Sequence, residues 1–173
     1  MNAFHATGAG AVRRRRDCAA VVARVEELVI RVAEEGDIAR LVEMGVRFAT
    51  ETVYRDRAFP VNEGAMARTA ALLILGDRGT VFVAEVDGHV VGMIGLLLFE
   101  NPLTGDASVA ELFWYVAPEH RGHGVRLLKR AEQWAREVGA AKVHMIAPTP
   151  DVSQMYERMG YAYLETTYQK ALA

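Results

Sequence analysis

The most informative part of the sequence spans residues 116–128 and reads VAPEHRGHGVRLL. A strand-like run ends at the valine, the chain turns through Gly122 and Gly124, and an amphipathic helical pattern follows. The first amides of a helix have no partner within the helix, and the helix dipole adds partial positive charge there. Glycines let a bulky anion approach the backbone closely. This turn therefore predicts a phosphate or pyrophosphate site, to which Arg121 and Arg126 add charge.

Other glycine motifs do not match this turn. It is not a P-loop, because no Gly-Lys-Ser/Thr follows, and it lacks the third glycine and the downstream acidic residue of a dinucleotide fingerprint. A glycine pair at a strand–helix junction also occurs in turns that bind nothing. The turn alone therefore leaves the function open.

Apolar periodicity along the chain predicts ten elements in the order β-α-α-β-β-β-α-β-α-β. Asp37, Asn62 and Asp151 are expected to cap helices, and residues 87–89 (Asp-Gly-His) to form a hairpin turn. A single mixed sheet covered by helices, an α/β (α+β) fold, accommodates this order. The predicted strands lie at residues 28–32, 80–86, 90–98, 110–116, 142–146 and 161–172, and the longest predicted helix at 122–139.

Bulk properties exclude several classes of protein. A length of 173 residues fits one domain, and a net charge of −2 gives no general attraction to nucleic acid or an anionic membrane. No apolar run is long enough to span a bilayer, and no signal peptide is recognisable. Cys18 is the only cysteine, which excludes an internal disulfide and a thiolate metal cluster. We expect a cytoplasmic protein without metal, nucleic-acid or membrane partners.

The first 26 residues differ from the rest and are predicted to be an N-terminal extension, partly flexible, ahead of a folded domain at 27–173. The run Arg13 to Arg16 fits either an arm for nucleic acid or membrane, or a solvated tail. The tail is the simpler interpretation, because no aromatic or further basic residue supports the arm.

The order of elements, together with the glycine turn, resembles the GNAT family of acyl-CoA-dependent N-acetyltransferases. The family pattern Gln/Arg-x-x-Gly-x-Gly/Ala follows a strand that ends near Val-x-Pro, and here it reads EHRGHG from Glu119 to Gly124. Glu119 departs from the pattern at its first position. The resemblance covers about residues 28–172. It implies a mixed, mostly antiparallel sheet flanked by helices, with acetyl-CoA as the acyl donor.

The resemblance also assigns the residues that bind the donor. In the family, backbone amides of the turn hold the CoA pyrophosphate, and the preceding strand pairs with the pantetheine arm. His120, within the turn, is expected to face solvent or phosphate. By position, the cofactor-binding residues are Trp114, Tyr115 and Val116 on the strand, and Arg121, Gly122, His123, Gly124, Val125 and Arg126 in the turn.

Tyr156 is the candidate general acid. It precedes Gly160-Tyr161, as the tyrosine of the family's late helix precedes a Gly-Phe/Tyr pair, and that tyrosine often protonates the departing CoA thiolate. A phenol, with its pKa near 10, can donate to a thiolate. The same pattern also fits a packing tyrosine beside Met155 and Met159.

Glu111 is the first candidate for the general base that deprotonates the attacking amine. A carboxylate within an apolar strand is unfavourable unless it has a partner or a task. An edge-exposed or salt-bridged glutamate is the alternative. His144 is a weaker candidate, because a lone histidine in a strand is more often a packing residue.

The acceptor site is expected in the loops at residues 52–61 and 99–106. Their aromatic residues fit a pocket lining or core packing equally, and their acidic residues weakly favour a cationic amine. The last predicted strand contains no glycine or proline, so it is either single or exchanged with a partner in a homodimer. The aromatic residues are Tyr54, Phe59 and Phe99, and the acidic ones Asp56, Glu100 and Asp106.

These features predict an acetyl-CoA-dependent N-acyltransferase that acts by direct attack in a ternary complex on a primary amine of a small molecule or peptide. Two alternatives stay open. The first is a non-catalytic acyl-CoA-binding or regulatory module, and the second is an unrelated α/β domain with a phosphate site for a nucleotide.

Overall fold

A computed structural model describes residues 27–55 and 60–170 of the chain. The predicted N-terminal extension at 1–26, with its arginine run and the cysteine, lies outside the described residues. So do Asp56 and Phe59 of the first predicted acceptor loop.

Within residues 27–55 and 60–170, five strands form one sheet in chain order. Neighbouring strands are antiparallel, except for the last pair, which is parallel. This confirms the prediction of a mixed, mostly antiparallel sheet. The strands are β1 (Leu28–Val32), β2 (Gly79–Val86), β3 (His89–Glu100), β4 (Ala107–Val116) and β5 (Lys142–His144).

In the part of the chain that the structure describes, four α-helices accompany the sheet in the predicted order. Among the described residues, no helix combines the length and apolar character needed to cross a membrane. A 3₁₀ turn at Pro118–His123 precedes the third helix. The helices are α1 (Ile38–Glu51), α2 (Glu63–Leu75), α3 (Gly124–Glu137) and α4 (Pro150–Arg158).

The sheet separates two apolar cores. Side chains of a strand point alternately to opposite faces, and β2 is buried on both. Val81 and Val83 face α1 and α2, whereas Phe82 and Ala84 face α3. Burial on both faces explains why β2 and β3 read as nearly continuous apolar runs.

Two local predictions are confirmed. Asp87 and Gly88 both have positive φ angles, 48° and 80°, as a two-residue type I′ hairpin turn requires. Asn62 caps α2, because its side-chain oxygen accepts a hydrogen bond of 2.9 Å from the Ala65 N–H.

The Asp37 prediction is only half right. Asp37 occupies the N-cap position of α1, but its carboxylate makes no capping bond to that helix. It accepts instead from the Glu34 N–H and from the Arg31 guanidinium, both at 2.7 Å. The ion pair thus ties β1 to the start of α1, and it holds the pKa of Asp37 below its usual value.

Two helix starts differ from the prediction. Thr149, rather than Asp151, caps α4 by accepting from the Val152 N–H at 3.5 Å. The third helix begins at Gly124 instead of Gly122, because the 3₁₀ turn takes up the residues before it.

The predicted sixth strand is absent from the described residues 161–170, which lie outside the sheet. Tyr163, Leu164 and Tyr168 in this segment are largely exposed. The fifth strand is also shorter than predicted and ends at His144.

A β-bulge in β4 sets the direction of the side chains that follow it. Glu111 pairs with Leu96 and Phe113 pairs with Gly95, which leaves Leu112 as the extra residue. In a regular strand, two residues separated by an odd number of positions point to opposite faces. Val109 and Trp114 are separated by an odd number, yet both face the α3 core, because the bulge lies between them. Bulges of this kind are frequent next to active sites.

β4 and β5 diverge beyond this point. Within the described part of the chain their pairing covers only Ser108–Ala110 and Lys142–His144, whereas β4 continues to Val116. From Glu111 onward, the β5 side of β4 therefore has no paired strand among the described residues.

Replacing Gly95 with Ala should destabilise the bulge, because a methyl group there would overlap the ring of Phe113. We expect a loss of about 1–3 kcal/mol in unfolding free energy, measured by urea denaturation. Gly36→Ala is the matched control, since nothing lies within 4 Å of a Cβ at that position. Equal stability of the two variants would contradict this account of the bulge.

Candidate active site

Glu111 lies where β4 and β5 begin to diverge, and only 8% of its surface is exposed. Its Oε2 accepts hydrogen bonds from the Ile146 N–H at 3.2 Å and from the Tyr156 hydroxyl at 3.4 Å. Both donors are neutral. The edge-exposed alternative considered from the sequence is therefore wrong, and the described contacts do not make Glu111 a salt-bridged residue.

Burial raises the pKa of Glu111 to about 7, and the hydrogen bonds from Ile146 and Tyr156 oppose the shift only in part. A carboxyl group with this pKa changes its protonation state near neutral pH. Ionisable groups perturbed in this way are frequent at functional sites.

Tyr156 reaches Glu111 from α4. Its hydroxyl also lies 3.4 Å from the Ile146 carbonyl oxygen, and its ring packs 6.1 Å from Trp114 and 5.2 Å from Tyr161. Burial, followed by the nearby Glu111 charge, raises the pKa of Tyr156. The structure thus brings the two predicted catalytic residues into contact, and Tyr156 is a packing residue as well.

Trp114 and Gly124 connect this pair to the glycine turn. A Cβ atom at Gly124 would lie 3.2 Å from the Trp114 ring, so a side chain at this position would crowd the ring. Gly124 is buried, and its N–H donates to the Arg121 carbonyl. The indole Nε1 of Trp114 is buried without a partner among the described residues. A buried donor of this kind suits a ligand acceptor group.

The rest of the turn presents cationic and open surface. Gly122 is exposed, and nothing lies within 4 Å of a Cβ at that position. Arg121 and Arg126 are exposed beside it, and the rings of His120 and His123 stack at 6.0 Å. Val125 is exposed, and Val116 packs towards the α3 core. The turn therefore fits an anion.

Tyr115 faces the opposite side of the sheet from Trp114. Its hydroxyl donates to Glu51 on α1 at 2.9 Å, and the Arg47 guanidinium lies 5.9 Å from its ring centre. Burial and the bond to Glu51 raise the pKa of Tyr115 to about 12. Of the predicted pantetheine-binding residues, Tyr115 is thus the one whose side chain packs on α1.

The same cluster accounts for Glu119, the departure from the family pattern. Its carboxylate lies 3.9 Å from Arg47, which also pairs with Glu51 at 2.9 Å. The Glu119 side chain, which is largely exposed, thus lies near α1. Sequence analysis missed Arg47 and Glu51, although their spacing of four on a helix is the signal of an ion pair.

The weaker candidates lie elsewhere. His144 packs against Phe99, with ring centres 5.7 Å apart, and its Nε2 is buried without a partner among the described residues. Tyr54 packs against Phe48 at 4.7 Å. In these contacts, His144 and Tyr54 act as packing residues. In the described part of the chain, no group of three or more His, Cys, Asp or Glu side chains could hold a metal ion.

The sequence profile of the Acetyltransferase (GNAT) family matches residues 46–161. This match includes β4, the glycine turn, Glu111 and Tyr156, and it spans more than half of the chain. The protein therefore belongs to the GNAT acetyltransferase family.

Curated relatives match over part of their length. N-acetyltransferase 8 of Homo sapiens is 34% identical over 92 residues, which are 50% of this chain and 40% of the human protein. N-acetyltransferase 8 of Rattus norvegicus is 30% identical over 101 residues, 53% of this chain and 46% of the rat protein. The chain thus spans under half the length of the curated relatives it matches.

Solved structures share the fold. The ribosomal-protein-alanine N-acetyltransferase from Brucella melitensis biovar Abortus 2308 superposes with a TM-score of 0.66 at 19% identity, over 84% of this chain and 99% of that one. A transcriptional regulator from Bacillus halodurans C-125 gives 0.70 at 20% identity, over 84% and 100%. At these identities the likeness concerns the fold alone.

Glu111→Gln should make the stability of the protein less dependent on pH. Because folding raises the pKa of Glu111 from 4.5 to about 7, its contribution to stability is present at low pH and is lost as pH rises through that range. We expect the variant to gain roughly 2–3 kcal/mol over the wild type between about pH 5 and pH 8, measured by urea unfolding. Glu100→Gln, at an exposed position, is the control and should gain nothing. Parallel stability curves for wild type and Glu111→Gln would contradict the assignment.

Proposed function

We propose that the protein is an acetyl-CoA-dependent N-acyltransferase that moves an acyl group to a primary amine by direct attack within a ternary complex. The contact between the buried Glu111 carboxylate and the Tyr156 hydroxyl carries this proposal. It lies where the pairing of β4 with β5 ends, in a chain that belongs to the GNAT family. Amide formation from a thioester uses a base for the amine and an acid for the departing sulfur, and this pair supplies one group of each kind.

Glu111 acts as the base. A primary amine is mostly protonated near neutral pH and must lose one proton to solvent before its nitrogen attacks the thioester carbonyl, and a second proton as the amide forms. A carboxylate whose pKa is raised to about 7 holds that second proton better than an ordinary surface glutamate does.

Tyr156 acts as the acid and gives its hydroxyl proton to the departing sulfur. The raised pKa of this phenol keeps it protonated before the reaction. Glu111, 3.4 Å away, then passes the proton taken from the amine to the phenol oxygen. One C–N bond forms and one C–S bond breaks. Of the two protons that leave the ammonium nitrogen, one passes to solvent before the attack and the other reaches sulfur through Glu111 and Tyr156, so the pair returns to its starting state.

The donor would bind along β4 and the turn. Arg121, Arg126 and the backbone around Gly122 would hold the diphosphate. The edge of β4 over 114–116 would contact the pantetheine arm, together with the Trp114 Nε1, which has no partner among the described residues. Acetyl-CoA would supply the thioester and its thiolate leaving group.

An amine acceptor agrees with the names of similar proteins, the human N-acetyltransferase 8 and the Brucella ribosomal-protein-alanine N-acetyltransferase. We extend to this chain only the chemical class, an amine on a small molecule or a peptide. The cytoplasmic location, the homodimer and the lack of nucleic-acid and membrane partners stay predictions from the sequence.

A CoA thermal-shift measurement followed by a thiol-release screen over amine classes tests the proposal. We expect stabilisation by acetyl-CoA and thiol release with at least one primary amine. Stabilisation without thiol release would favour the non-catalytic acyl-CoA-binding module. Stabilisation by nucleotides but not by acetyl-CoA would favour an unrelated phosphate site.

Gly122→Glu should weaken CoA binding by about tenfold or more, because it adds bulk and negative charge at the open face of the turn. Isothermal titration calorimetry measures the loss. Gly122 is a sharper test than Gly124, where a new side chain would also collide with Trp114. Gly36→Glu, at another open glycine of a 3₁₀ turn, should bind CoA like the wild type. Equal affinity of Gly122→Glu and Gly36→Glu would refute the placement of the donor.

Tyr156→Phe and Glu111→Gln should each lower kcat by about a hundredfold while the affinity for acetyl-CoA is retained. The wild-type rate should show an inflection near pH 7, below which Glu111 becomes protonated. Glu111→Gln should lose this inflection and keep only the pH dependence set by the amine itself. Steady-state thiol release over a pH series measures both effects. An unchanged pH profile in Glu111→Gln would point to water as the base.

A further inference from the structure

Tyr156 is the one residue of α4 that is buried. The helix is short, and its remaining side chains are exposed or half-buried. The direction of the Tyr156 hydroxyl therefore depends on the few contacts that hold α4 in place.

The turn after α4 provides one of these contacts. Gly160 has a φ angle of +90°, which favours glycine, and its N–H donates to the Glu157 carbonyl at 3.0 Å. The Tyr161 N–H donates to the Tyr156 carbonyl, also at 3.0 Å. This pair of bonds is a Schellman motif, which brings the side chains at its two ends together. The 5.2 Å contact between the rings of Tyr156 and Tyr161 follows from it.

The hydroxyl of Tyr161 provides a second contact, to a different helix. It donates to Glu132 Oε1 on α3 at 2.9 Å, and the other oxygen of Glu132 lies 3.3 Å from Arg136. A phenylalanine at 161 would make the ring contact equally well. What the hydroxyl adds is the bond that ties the end of α4 to α3.

We propose that Tyr161 is a positioning residue, whose hydrogen bond to Glu132 fixes α4 on α3 and so holds the Tyr156 hydroxyl against Glu111. This inference rests on the proposed function, in which Tyr156 is the acid. Without the anchor, α4 moves relative to β4 and the 3.4 Å contact between Tyr156 and Glu111 lengthens. Small displacements of a catalytic group reduce rates strongly.

Tyr161→Phe tests the anchor because it removes only the hydroxyl. We expect kcat to fall about tenfold with the KM for acetyl-CoA unchanged, measured by thiol release. Tyr163→Phe is the matched control. Its hydroxyl contacts Thr166 in the exposed segment, and its removal should leave kcat unchanged.

A double-mutant cycle separates positioning from a general structural effect. Because Tyr161 acts through the Tyr156 hydroxyl, Tyr156→Phe combined with Tyr161→Phe should be no slower than Tyr156→Phe alone. Glu132→Gln keeps an acceptor oxygen and should retain turnover, whereas Glu132→Ala should reproduce the loss seen in Tyr161→Phe. Wild-type turnover in Tyr161→Phe, or additive losses in the double variant, would overturn the proposal.

A spectroscopic readout keeps the anchor testable if the proposed function fails. In protein labelled with ¹³Cζ-tyrosine, the Tyr156 signal, assigned by its loss in Tyr156→Phe, should shift in Tyr161→Phe and not in Tyr163→Phe. Failure of the function appears as full turnover in Tyr156→Phe or as no thiol release by the wild type. Failure of the anchor appears as an unmoved Tyr156 signal.

Discussion

The arrangement depends on keeping one carboxyl group out of water between two strands that diverge. Burial disfavours the charged form of Glu111, and the structure offsets this only in part, with two neutral donors from other elements. Those donors require the chain after β5 and the helix α4 to lie where they do. Three features of the fold therefore act together to bury Glu111: the bulge at Leu112, the short pairing of β5 and the burial of Tyr156.

Trp114 links the glycine turn to the surroundings of Glu111. Its ring lies against Gly124 at the start of α3 and against Tyr156 on α4, so it connects the glycine turn to the contact between Glu111 and Tyr156. The glycines of the turn have different roles. Gly124 allows a close contact within the protein, whereas Gly122 leaves the surface open. Only Gly122 therefore has the open surface that an approaching phosphate needs.

Several features of the fold were predictable because their causes are local. The Asp87-Gly88 turn and the Asn62 cap follow from the backbone preferences and hydrogen-bonding groups of those residues. The sequence could not indicate the bulge in β4, since an apolar run reads the same with or without an extra residue. The predicted sheet also had one strand too many, because residues 161–170 have strand-like composition but do not pair within the described chain.

The sequence alone determined the residue types of the candidate site and the elements that carry them. Periodicity and motif spacing placed Glu111 on a strand, Tyr156 on a helix, and two glycines between a strand and a helix. Only the tertiary structure decided that Glu111 and Tyr156, 45 residues apart, share a hydrogen bond, and that Glu119 is directed towards Arg47. The reason is that burial, and the pKa shift it causes, arise when distant elements pack together and remove water.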